Sequence, residues 1–203
     1  SYCADNPTAY IAQNGTVYLL AVCHLPNEAD ADSRSAEGLP SILMLWRGEA
    51  WDKDFEVLGN ITRSNGPWRT TRSWWSWVDP TLWLDHRGNL HVVANWGWQG
   101  MDCAVGELGA HAFSEDGRTW HSFCAGNPAD SPQLSLAAIY NSTTVFDDGS
   151  VRQLHYERPK IILDPNTHRP TALFASVGSH CSNVTDDRSW TIARPIRMKT
   201  DES

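Results

Sequence analysis

No stretch of this chain keeps a helical 3.6-residue period for three turns, which argues against a helical or mixed fold. No apolar run approaches the roughly 18 to 20 residues of a membrane-spanning helix, so no membrane partner is expected. Lysine and arginine number 16 against 24 aspartates and glutamates, and they form no basic stripe. Affinity for nucleic acid comes largely from phosphate neutralisation, so a net charge of −8 argues against that partner too. C-x-x-C spacing is missing, which removes zinc and redox readings of the five cysteines, and no cofactor is expected.

What the sequence does have is a repeat. D-N-P-T-A-Y-I-A-Q-N-G from Asp5, V-D-P-T-L-W-L-D-H-R-G from Val78 and E-R-P-K-I-I-L-D-P-N-T from Glu157 each open an apolar run on a proline. A turn residue follows at an offset of eight: Gly15 after Pro7, Gly88 after Pro80, Thr167 after Pro159. Repeats decide a fold before any other signal does. Short alternating runs around them predict strands at 8–12, 16–22, 42–47 and 55–58, then 81–84, 90–94, 110–114 and 119–123, then 160–163, 171–177 and 189–197. Four short strands per unit, repeated, is the pattern of a β-propeller blade. The expected fold is therefore all-β, one domain over 1–203, with about three blades in units of 5–62, 78–124 and 157–197. Three blades do not close a ring, so a fragment is expected, with apolar blade faces and strand edges left open. The long segment 125–156 is expected to lend an outer strand to a neighbouring blade.

Cys3 with Cys23, and Cys103 with Cys124, each bracket a strand region and could pair, leaving Cys181 over. Four N-x-S/T sequons, at Asn14, Asn60, Asn141 and Asn183, point with the cysteines to a secreted glycoprotein. The chain starts at Ser1 without a signal peptide, as a processed form or a fragment would.

Residues opening the innermost strand of each blade point to the common axis, where propellers place ligands. The repeat puts Asn6 (with Asp5 behind it), Asp79 and Glu157 there. Glycoside hydrolysis needs two carboxyl groups, one protonated and donating, the other ionised, and neighbouring carboxylates raise each other's pKa. V-D-P-T-L-W-L-D-H-R-G-N-L-H and Y-E-R-P-K-I-I-L-D resemble the second and third active-site motifs of the five-bladed propeller glycosidases, the clan of arabinanases, xylosidases and invertases. The resemblance implies a five-bladed type of ring, with Glu157 as general acid and Asp79 as pKa modulator and substrate anchor. It also implies an aspartate directly before the first-blade proline, where this chain has Asn6. An amide cannot serve as base or nucleophile. Either Asp5 reaches the axis through a bulge, or the base lies in an upstream blade, or nothing is hydrolysed.

Eleven tryptophans supply flat faces for sugar rings, with Trp74 and Trp75 as candidate platforms beside Asp79 and with Trp83 and Trp120 assigned to the core. His111 could bind a substrate hydroxyl or help hold the central ion that some clan members carry, against the plainer role of a satisfied structural histidine. Arg158 is a further substrate-binding candidate, because Tyr156-Glu157-Arg158 is similar to the Tyr–Glu pair and arginines of sialidases. The seven residues S-E-D-G-R-T-W from Ser114 resemble the Asp box of sialidase-like propellers, a turn motif without catalytic content. The expected partner is a carbohydrate. A glycosidase and a propeller that binds glycan without cutting it are the two readings.

Overall fold

The computed structural model describes residues 2–24, 41–61, 75–98, 108–122, 143–178 and 189–196. Within them the chain is all β. A first antiparallel sheet runs in chain order through β1 (Tyr2–Ile11), β2 (Val17–His24), β3 (Ser41–Gly48) and β4 (Phe55–Asn60). A second runs through β5 (Trp75–Leu84), β6 (Leu90–Trp98), β7 (Leu108–Ser114) and β8 (His121–Ser122). β9 (Thr143–Val145) and β10 (Val151–Gln153) pair as a hairpin, and β11 (His155–Leu163), β12 (Pro170–Gly178) and β13 (Ser189–Pro195) form the last sheet. Among the described residues β9 and β10 pair only with each other; residues 125–142 of the segment expected to lend an outer strand lie outside the described residues.

The first strand of each sheet is longer than its sequence suggests. Proline lacks the N–H that a ladder needs, so the strands are predicted to start after it. Instead β1, β5 and β11 run straight through the proline by means of a bulge, with register shifts at Asp5/Thr8, Val78/Thr81 and Glu157/Lys160. The residue before each proline takes the left-handed conformation, at φ 47° for Asn6, 53° for Asp79 and 52° for Arg158. Asparagine and aspartate tolerate that region better than other side chains do, whereas arginine pays a steric cost there.

The sheets stack face to face in chain order. Leu20, Val22, Leu43, Leu45 and Leu58 of the first sheet bury against Leu82, Val92, Ala94, Ala112 and Trp120 of the second and its following turn. The opposite side of the second sheet, through Trp83 and Val93, packs on Tyr156, Leu173, Ala175 and Val177 of the last. A sheet covered on both sides needs apolar residues at successive positions, which is why β6 reads Val92-Val93-Ala94. The two end faces differ. Ile11 and Val57 on the first sheet, and Ile162 and Phe174 on the last, are exposed large apolar side chains. Cys3 and Cys23 form a disulfide between directly paired residues of β1 and β2. Cys103, Cys124 and Cys181 lie outside the described residues.

Candidate active site

The three bulges meet. Asn6, Pro7, Asp79, Pro80, Arg158 and Lys160 line one cavity of about 220 Å³. Aligned on the prolines, Asn6, Asp79 and Arg158 hold one structural position with one backbone conformation. The residue before it is Asp5, Val78 and Glu157, each paired to the adjoining strand just ahead of the bulge. This changes one expectation: the third-sheet counterpart of Asp79 is Arg158, and Glu157 is the counterpart of Asp5. Asp5 is half-buried and is not among the residues lining the cavity, whereas Asn6 is.

Asp79 sits where the inner strands of the second and third sheets approach. Its Oδ2 accepts from Nδ2 of Asn95 at 3.2 Å, and the backbone N–H of Arg158 lies at 3.4 Å, long for such a bond. Asn95 is only 1% exposed on β6, so its amide is held in place by the core. Burial pushes the Asp79 carboxyl above the usual aspartate range. The Arg158 N–H opposes that shift, the neighbouring Glu157 charge adds to it, and the Arg158 guanidinium and Asn95 lower it. Asp79 therefore feels the charge of Glu157 from the neighbouring strand.

Lys160 follows Pro159 where the other sheets have Thr8 and Thr81. Although it is exposed by accessible area, the protein around its ammonium lowers its pKa, and the Asp79 carboxylate acts in the opposite sense. Sequence reasoning passed over both Lys160 and Asn95. The first was legible by counting one residue forward from each proline. The second carried only a faint signal, a lone amide inside an apolar strand.

Other candidates lie elsewhere. His111 is outside the cavity lining. Its Nε2 is 2.9 Å from Nδ1 of His91, and both rings stack with Trp83 on the side of the second sheet that faces the third. Burial, then the neighbouring His91, lowers the His111 pKa to about 4, so the ring is neutral near pH 7. Among the described residues no group of three or more His, Cys, Asp or Glu is placed to hold a metal. Tyr156 is fully buried and its hydroxyl meets Oγ1 of Thr144, so it cannot act as a sialidase-like tyrosine at the cavity. Trp74 falls outside the described residues, and for Trp75 only the backbone, paired to Trp98, is described. Trp83 and Trp120 are buried, as expected.

The Ser114–Trp120 turn is structural. Oδ1 of Asp116 accepts from the N–H groups of Thr119 and Arg118 at 2.6 and 2.8 Å, and these bonds hold its pKa down to about 2. Gly117 supplies φ 72°, and the indole N–H of Trp120 donates to the Gly117 carbonyl. Asp85 does similar work after β5. Burial opposes its ionisation, but the N–H groups of Asn89 and Arg87 outweigh that and bring it to about 2.

Stacked antiparallel sheets whose inner strands converge on one cavity are successive blades of a β-propeller. Two solved structures give that fold its particular form. An endo-arabinase from Bacteroides thetaiotaomicron VPI-5482 superposes with a TM-score of 0.50 at 12% identity, over 97% of this chain and 57% of its own. A thermostable family-43 glycoside hydrolase gives 0.53 at 13% identity, over 96% of this chain and 55% of its own. The chain thus spans just over half the length of the structures it resembles. No protein-family model matches the sequence, and no curated protein is significantly similar to it.

Proposed function

We propose that the cavity is a glycan site and that the protein is a secreted glycosidase-like enzyme acting on polysaccharide or oligosaccharide. One observation carries this reading: Asp79 lines the cavity where the second and third sheets approach, and its carboxyl is pushed up by burial and by the charge of Glu157, the residue before the lining Arg158. In this reading Glu157, exposed and next in sequence to the lining Arg158, donates to the leaving oxygen, and Asp79 tunes the proton and anchors a sugar hydroxyl. Asp5, one step behind the bulge of the first sheet, is the residue assigned the base role in this reading. The Cys3–Cys23 bridge and the four sequons support an oxidising, extracellular setting.

The test is sugar release from a panel of plant, algal and microbial polysaccharides by the chain and by Glu157→Gln. The expected loss is about 10²- to 10⁴-fold. Unchanged turnover in the variant removes Glu157 from the chemistry. A second reading, a propeller that binds glycan without cutting it, is favoured by the Asn6 amide at the position equivalent to Asp79. It predicts binding without turnover, and binding that Glu157→Gln leaves unaltered.

A further inference from the structure

We infer that the cavity selects an anionic sugar, a glycan unit bearing a carboxylate or a sulfate ester, through Arg158 and Lys160. This rests on the reading of the cavity as a glycan site and adds the class of its ligand.

The argument starts from the repeat. At the two positions flanking the proline, the first sheet has Asn6 and Thr8, the second Asp79 and Thr81, and the third Arg158 and Lys160. Both departures in the third sheet introduce a positive charge, and both residues line the shared cavity. Neither is placed there at low cost. Arg158 takes φ 52°, a region poorly suited to a long side chain, and Lys160 keeps its ammonium where burial disfavours the charge.

Among the described residues neither Arg158 nor Lys160 forms an ion pair, and both sense the Asp79 carboxylate only at longer range. Among the residues lining the cavity, two cations therefore stand against the one carboxyl of Asp79. The chain as a whole carries −8, so a locally cationic cavity stands against a field that repels anions. A planar guanidinium beside a mobile ammonium is a recognised arrangement for gripping carboxylate or sulfate oxygens.

The experiment measures binding of three probes to the full chain: a galacturonic acid trimer, its methyl ester, and a sulfated galactose oligomer. Two variants restore the residues of the other sheets, Lys160→Thr and Arg158→Asn, changes the same backbone already accommodates. Charge-assisted hydrogen bonds predict that the acid or the sulfated oligomer binds about tenfold to a hundredfold tighter than the neutral ester. Each variant should lose most of that preference while its ester affinity changes by less than about twofold, and added salt should weaken anion binding selectively. Preference for one of the two anions identifies which group the cations hold. Equal binding of acid, sulfated oligomer and ester, or a preference that survives in both folded variants, overturns the inference and leaves the glycan site standing. Failure of all three probes together with every neutral glycan of the panel overturns both.

Discussion

Gly117 tests the stacking of the first two sheets. A Cβ built on it meets Cδ1 of Leu58 at 2.8 Å and Cδ1 of Leu90 at 3.1 Å, one from each sheet. Gly88 is the comparison, since its φ of 85° is as left-handed as the 72° of Gly117 but no atom lies within 4 Å of its would-be Cβ. Both alanine variants bear the same backbone penalty, about 1–2 kcal/mol. Gly117→Ala alone adds overpacking between two sheets, about 1–3 kcal/mol more. In a protein of this size the extra term lowers the melting temperature by roughly 2–12 °C relative to Gly88→Ala. Urea unfolding of the two variants side by side isolates it. Adding Leu58→Ala to Gly117→Ala should recover part of the loss, giving a coupling of about 0.5–3 kcal/mol in a double-mutant cycle. If both glycine variants lose the same stability within about 0.5 kcal/mol, the described packing between the sheets is wrong.

The raised Asp79 pKa sets a pH dependence of known sign. The fold binds that proton more tightly than the unfolded chain does, so its contribution is fully present below about pH 4 and is lost as pH rises through the folded-state pKa. Asp79→Asn should therefore match the parent near pH 3 and be the more stable of the two at pH 7, while losing activity; melting curves across that range check it, and a pH-independent difference refutes it. Replacing Cys3 and Cys23 together with serine opens a bridge spanning 20 residues and should cost about 3 kcal/mol in non-reducing unfolding experiments. Tyr156→Phe leaves the buried Thr144 hydroxyl without its partner, and unfolding should show a loss of about 1–3 kcal/mol; no loss means that hydrogen bond contributes nothing.

Much of the architecture could be read from the prolines and the turns that follow them. The hairpins after Pro7, Pro80 and Pro159, the paired Cys3 and Cys23, and the structural role of Asp116 all follow from local chemistry that a sequence displays openly. Strand starts were not so readable. A proline signals the end of a ladder, and nothing local announces the bulge that carries β1, β5 and β11 through it to Tyr2, Trp75 and His155. The same bulge hid the true alignment of the site. Acidic residues drew attention to Glu157 as the counterpart of Asp79, whereas the matching kinks make Arg158 the counterpart of Asp79 and leave Glu157 equivalent to Asp5. Asn95 became visible only once β6 placed its amide beside Asp79. For His111 the plainer reading, a satisfied structural histidine, fits its contact with His91, which the sequence does not announce.

The matching left-handed kinks at Asn6 and Asp79 make those two positions interchangeable sockets, since asparagine and aspartate differ by one atom and suit that kink alike. Exchanging amide for acid at Asn6 would need no rearrangement of the chain. A lineage carrying this scaffold is therefore a single substitution away from acquiring or surrendering a carboxylate at its hub, and loss or return of chemistry there need leave no trace in the fold.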